Sequence, residues 1–145
     1  MKNFISILFL LYTTVFFAQN RYDVSNSGVK KSKGLMRISK NGDPLTGIVF
    51  GNYKNGQIAF EDNYENGIAN GPYKQWNKNG QLILEINYKN GLKEGLERTW
   101  YDNGQLEWEV TYKGGKKDGY EKIYTKLGKL ETEDFYQNGK RQIKD

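Results

Sequence analysis

The chain contains no cysteine and no histidine among its 145 residues. Without cysteine there is no disulfide, no thiol nucleophile and no site for a lipid-modified cysteine. Without histidine there is no imidazole general base, and with both absent the usual zinc-ligand sets and the Ser-His-Asp and Cys-His catalytic arrangements are excluded. Proline occurs twice, and Pro44 is expected at an edge or in a connection, where its missing N–H costs little. Long apolar runs are also scarce. The single one, Phe4 to Phe17, follows Lys2 and precedes Ala18-Gln19. It falls short of the ~20 apolar residues of a membrane span and reads as an export signal over residues 1–18. The expectation is a protein exported to the periplasm, the outer surface or the medium, with no integral membrane segment after cleavage. A strong excess of one charge is lacking as well. The net charge is +5, from 22 basic and 17 acidic residues, and the signs are interspersed, so no nucleic-acid partner is expected.

What the chain does have is a repeat. Residues 71–94 read GPYKQWNKNGQLILEINYKNGLKE, and the same frame recurs from Gly47, Gly95 and Gly119 at a constant period of 24. Such a period marks an array of stacked supersecondary units. Most of the 17 glycines hold fixed registers. Gly47, Gly71, Gly95 and Gly119 open the units, Gly56, Gly80, Gly104 and Gly128 lie at their centres, and Gly67, Gly91, Gly115 and Gly139 close them. The central and closing glycines are expected at turns. Asn55, Asn66, Asn79, Asn90, Asn103 and Asn138 precede them, and Asn-Gly supplies the positive φ angles that tight hairpins need.

Between turns the period drops to two. Leu82, Leu84, Ile86 and Tyr88 alternate with Gln81, Ile83, Glu85 and Asn87, and Leu106, Trp108, Val110 and Tyr112 follow the same pattern one unit later. This predicts strands with one apolar and one mainly polar face, two antiparallel strands of about 5–8 residues per unit. A three-residue loop at Lys78-Asn79-Gly80 would set Trp76 opposite Leu82 and Lys74 opposite Leu84, then Trp100 opposite Leu106 and Arg98 opposite Trp108 in the next unit. The expected organisation is a signal (1–18), a flexible polar N-terminus (19–33), a degenerate half repeat acting as a cap (34–46), then repeats at 47–70, 71–94, 95–118 and 119–145. The last of these carries a frayed tail from Lys140. Thr132 and Asp134, like Asp62 in the first unit, bring polar residues onto the apolar face at the ends of the array, as water-facing caps do.

The frame GxYKxWxxNGQLxxExxYKNGxxxG resembles the bacterial variant of the MORN repeat, and is similar to the group labelled antitoxin-like MORN-variant proteins. The resemblance covers residues 47–145, and more loosely 34–46. It implies an all-β fold, an elongated, twisted, single-layer antiparallel meander of β-hairpins that serves as a binding or scaffolding surface.

Chemistry beyond binding has little to build on. No Walker-type phosphate loop is present, because the glycines recur as hairpin turns. Glu61, Glu85, Glu109 and Glu133 share one register, and a carboxylate pair could in principle hydrolyse a glycoside, but residues that recur in every unit follow the repeat and not one active site. A non-enzymatic protein is expected, with no catalytic residue, no metal and no cofactor. The candidate binding face is aromatic: Trp76, Tyr88, Arg98, Trp100, Trp108 and Tyr112. A sheet with one apolar face must cover it by curling, self-association or binding. Three readings follow: a protein-binding module at the cell envelope, a glycan-binding module with the same aromatics stacked on sugars, and an antitoxin or immunity protein. Self-association into a homo-oligomer is a further option.

Overall fold

A computed structural model describes residues 19–25, 29–32, 35–38 and 42–143. The expected signal (1–18) and Asn41 lie outside them. Among the described residues every regular element is a strand. These are β1 (Arg21–Asp23), β2 (Val29–Ser32), β3 (Leu35–Ile38), β4 (Gly47–Asn52), β5 (Ile58–Glu65), β6 (Ile68–Trp76), β7 (Leu82–Lys89), β8 (Leu92–Trp100), β9 (Leu106–Lys113), β10 (Lys116–Tyr124), β11 (Leu130–Gln137) and β12 (Lys140–Gln142). Ten of them form one open sheet in the order β1-β4-β5-β6-β7-β8-β9-β10-β11-β12, and β2 pairs with β3 separately. All pairings are antiparallel except β1 with β4, which is parallel. The 24-residue hairpin meander is as expected.

Both kinds of turn form. Asn66 and Gly67 have φ of 51° and 78°, and Asn90 and Gly91 have 51° and 80°. Two successive positive φ angles define the two-residue turn whose twist matches the flanking strands. At the central turns the Asn77 N–H donates to Gln81 O at 2.8 Å and the Gly80 N–H donates to Asn77 O at 3.0 Å, which makes Lys78-Asn79-Gly80 the three-residue loop. Trp76 then faces Leu82 and Trp100 faces Leu106, as expected.

One residue further the register shifts. Gln75 pairs with Leu84 and Lys74 with Glu85; Thr99 pairs with Trp108 and Arg98 with Glu109. The expected pairs Lys74–Leu84 and Arg98–Trp108 are therefore wrong by one position. Ile83 and Glu107 are extra residues, and a one-residue bulge moves everything beyond it to the other face. The glycines taken as unit openings also lie elsewhere. Gly71, Gly95 and Gly119 are inside β6, β8 and β10, which run nine residues each, longer than the short strands expected there. At Gly71 a wider bulge sets residues 70–72 opposite Asn63. The Asn63 amide donates to Pro72 O at 2.6 Å, and Asn87 donates to Leu96 O at 2.9 Å one unit later. Pro72 sits where the ladder asks for no donor.

Three further expectations change. Residues 19–33, read as a flexible N-terminus, supply β1 and β2. Within the segment read as a half-repeat cap, β3 pairs with β2 and not with the repeat sheet. The tail read as frayed from Lys140 begins with β12, paired to β11.

The core is thin and lies on one face. Its fully or nearly buried apolar side chains are Leu45 (0% exposed), Val49 (2%), Ile86 (8%) and Val110 (0%). Val49, Ile86 and Val110 belong to one continuous cross-strand row, Val49-Asp62-Tyr73-Ile86-Glu97-Val110-Glu121-Asp134. We call this the core face. Gly51 starts the adjacent row on the same face, where a Cβ would stand 2.5 Å from Phe60 Cε1. Gly51→Ala is expected to destabilise by about 1–3 kcal/mol through this overlap. Adding Phe60→Leu should recover most of the loss in a urea-unfolding series; equal losses in the single and double variants would show that the ring is not the cause.

Candidate functional site

The opposite face carries a ladder of charge. Phe50, Glu61, Lys74, Glu85, Arg98, Glu109, Lys122 and Glu133 are successive cross-strand neighbours. Ion pairs join Lys74 to Glu85 (3.4 Å), Arg98 to Glu109 (3.3 Å) and Lys122 to Glu133 (3.5 Å). Phe50 stands where the ladder would have a cation, and Arg21 of β1 supplies it. Its guanidinium lies 4.9 Å over the Phe50 ring and pairs with Glu61. The glutamate row expected from the sequence is thus real, and its cross-strand neighbours within the ladder are cations. Successive glutamates are two strand spacings apart, roughly 9.5 Å, with a cation between them.

Beside this ladder runs an apolar stripe. The pairs Asn52–Ile58, Trp76–Leu82, Trp100–Leu106 and Tyr124–Leu130 continue it across the hairpins. Trp76 and Trp100 are half-buried, while Ile58 (37%) and Leu130 (44%) are exposed. Gln57, Ile58, Trp76 and Gly80 line a shallow depression on it.

The core face is built differently. Tyr64, Tyr88, Tyr112 and Tyr136 recur at one register, each paired across the hairpin with Ala69, Lys93, Lys117 or Arg141. Lys93 pairs with Glu97 at 2.6 Å and lies 4.9 Å over the Tyr112 ring. Lys117 pairs with Glu121 at 2.5 Å and lies 4.8 Å over Tyr136. The Trp108 indole N–H donates to Glu121 Oε1 at 2.9 Å. Burial raises the Tyr112 phenol, with help from the Glu97 charge, up to about 12.

The six candidate residues are therefore not one surface. Tyr88, Trp108 and Tyr112 lie on the core face, and Trp76, Arg98 and Trp100 on the ladder face. The single-residue bulge divides them. Trp108 is engaged internally by Glu121 and Lys117, whereas Trp76 and Trp100 stand half-buried on the ladder face. The central and closing glycines occupy turns, all with φ between 78° and 85°. Sequence reading missed the charge ladder and the Lys-Glu-Tyr clusters. Registers of opposite sign, Glu61/Glu85/Glu109 against Lys74/Arg98/Lys122, would have revealed the ladder, because they meet only if the bulge is present. Among the described residues no three acidic, His or Cys side chains are grouped to hold a metal.

The profile described as the MORN repeat variant matches residues 45–66, 69–90, 93–113 and 117–138, more than half of the chain. The protein belongs to the MORN repeat variant family. Its four matched units fall on the four long hairpins, the last three matches beginning near the start of the strand that the wider bulge bends. No curated protein matches the chain. Family membership makes it a repeat module of a kind that binds other molecules; it names no substrate or partner.

Two carboxyls on the core face have opposite electrostatics. Burial pushes Asp62 above the ordinary carboxylate range, against the hydrogen bond that the Tyr64 hydroxyl donates to it. Burial acts on Glu121 in the same direction, but hydrogen bonds from Lys117, Trp108 and Tyr136 outweigh it and hold the group low. A raised carboxyl favours the protonated folded state, so ionised Asp62 opposes folding above the unfolded-state value. A lowered one adds stability above that value and loses it as pH falls through its folded one. Asp62→Asn is expected to raise Tm at pH 7 and to have little effect near pH 3, while Glu121→Gln lowers Tm at pH 7 and converges with wild type in acid. Thermal unfolding across that range checks both signs.

Proposed function

We propose that this protein is an exported, non-enzymatic scaffold that binds another protein at the cell envelope through the ladder face. The observation that supports this best is the juxtaposition of an apolar stripe with a charge-balanced ladder. Glu61, Glu85, Glu109 and Glu133 are matched by Arg21, Lys74, Arg98 and Lys122. An apolar strip lined by alternating charges suits the anatomy of a protein–protein interface, with aromatic and aliphatic anchors beside a polar rim. A uniformly basic groove, as nucleic acid needs, is not what the ladder offers. Export rests on the apolar N-terminal run after Lys2, and the scaffold role on membership of a repeat family.

Binding through Trp76 and Trp100 predicts a specific loss. In-cell crosslinking of the exported protein should give a dominant heterologous adduct, reduced at least about tenfold in Trp76→Ala and Trp100→Ala, since such anchors carry about 2 kcal/mol or more. Trp108→Ala should leave the adduct intact where circular dichroism shows a folded sheet. An adduct unchanged in the Trp76 and Trp100 variants would refute the ladder face as the contact. A sugar in place of a protein would appear as a tryptophan fluorescence shift on titration with envelope polysaccharide and no protein adduct. A toxin as the adduct would specify the partner as the one an antitoxin neutralises.

A further inference from the structure

Four units of the same frame allow each register to be compared with itself, and one register is incomplete. In three places a basic side chain fills it. Lys93 and Lys117 each lie over the tyrosine ring of the following unit, Tyr112 at 4.9 Å and Tyr136 at 4.8 Å. Arg141, at the same register in the last unit, holds Asp134 with its Nη2 2.5 Å from Oδ1. In the first unit this register is Ala69.

Both kinds of partner that a cation meets elsewhere are nevertheless present around Ala69. Asp62 is the repeat equivalent of Asp134, three periods earlier, and Tyr88 is the equivalent of Tyr112 and Tyr136. Asp62 Oδ1 is buried and has no hydrogen-bond partner. Its other oxygen accepts from the Tyr64 hydroxyl at 2.6 Å, and Tyr73 is its cross-strand neighbour. The Asp62 charge acts on Tyr73 and Tyr88 alike, holding both phenols up after burial has raised them. Among the described residues Asp62 makes no ion pair. A buried carboxylate oxygen without a donor is costly, and a carboxylate among aromatic rings is a setting in which cations are recognised.

We propose that the Asp62–Ala69–Tyr88 position is a binding site for an organic cation carrying a guanidinium or primary ammonium group. The cation's N–H groups would pair with the half-buried Asp62 carboxylate, and its charge would lie over Tyr88 as Lys93 lies over Tyr112. Two sources share this chemistry: a free small cation, and an arginine or lysine side chain of another polypeptide. The site is on the face opposite Trp76 and Trp100, so it does not depend on the function proposed above.

The test is a titration of the purified protein with methylguanidinium chloride, followed by two-dimensional NMR, with sodium chloride at equal ionic strength as reference. A saturable shift of the Asp62, Tyr64 and Tyr88 resonances is expected in wild type. Asp62→Asn should weaken it at least about tenfold. Ala69→Arg should also abolish it, because the new guanidinium fills the register as Arg141 does, and should raise Tm. No saturable shift in wild type, or an equal shift in the Asp62→Asn or Ala69→Arg protein, would overturn the site. A blocked arginine peptide that binds more tightly than methylguanidinium would assign the site to a polypeptide side chain. Equal affinity would assign it to a free small cation.

Discussion

Backbone pairing between neighbouring strands is the constraint on which this molecule rests. Among the described residues the repeat array is one sheet with no second layer of sheet packed on it, and hydrophobic burial is confined to a few side chains. Among the described residues four apolar side chains are buried, and a fifth buried side chain, Glu97, is a carboxylate tied to Lys93. At roughly 1.5–3 kcal/mol for each apolar side chain buried, such a core is small beside the entropy cost of ordering a chain of this length. Cross-strand side-chain pairs, worth roughly 0.2–1 kcal/mol each, must therefore be favourable at nearly every position. The charge ladder is how the ladder face meets that demand, since alternate signs across strands turn what would be like-charge repulsion into attraction.

The same dependence explains the bonds between turns. Gly67, Gly91, Gly115 and Gly139 donate their N–H groups to Leu45, Ala69, Lys93 and Lys117 of the preceding unit, at 2.7–2.9 Å. At the other end of the hairpins the Tyr53 hydroxyl donates to Trp76 O and the Tyr101 hydroxyl to Tyr124 O. Each unit is thus held to the next at both turns as well as along the strands, which gives the array nearest-neighbour energetics. The ends need other devices. Arg21 extends the charge ladder past Phe50, and the short exposed strand β12 closes the last unit with Lys140 and Arg141 at an edge where a long flat strand would invite further pairing.

The period, the turns and the first pair beyond each central loop were legible because glycine and asparagine at fixed spacing admit one backbone solution. The faces were not. Leu82, Ile83 and Leu84 are consecutive apolar residues, so period-two alternation continues through them with no mark of an inserted residue, and no glycine or proline signals the bulge. That one residue separates Trp76 and Trp100 from Trp108, and it turned one expected aromatic face into two with different chemistry. Gly71, read as the opening of a unit, instead bends with its φ of 111° a strand that continues on both sides. The N-terminal segment carried no alternation long enough to announce the three residues of β1.

A repeat protein supplies its own controls, and this makes departures from the frame informative. Where Lys93 and Lys117 recur with Glu97 and Glu121, cation and carboxylate are satisfied within one strand. Where the frame changes to Ala69 and Tyr73, the acid has moved to the neighbouring strand as Asp62, which makes no ion pair among the described residues. In the last unit the acid is again an aspartate, Asp134, and there Arg141 follows it. The two ends of the array share an acid at one register, and among the described residues only Asp134 of the two has a counter-ion. Packing does not demand that acid, because Ile86 and Val110 occupy the same register in the central units and are buried there. Asp62 thus places, in a register the core uses for Ile86 and Val110, a carboxyl that burial disfavours.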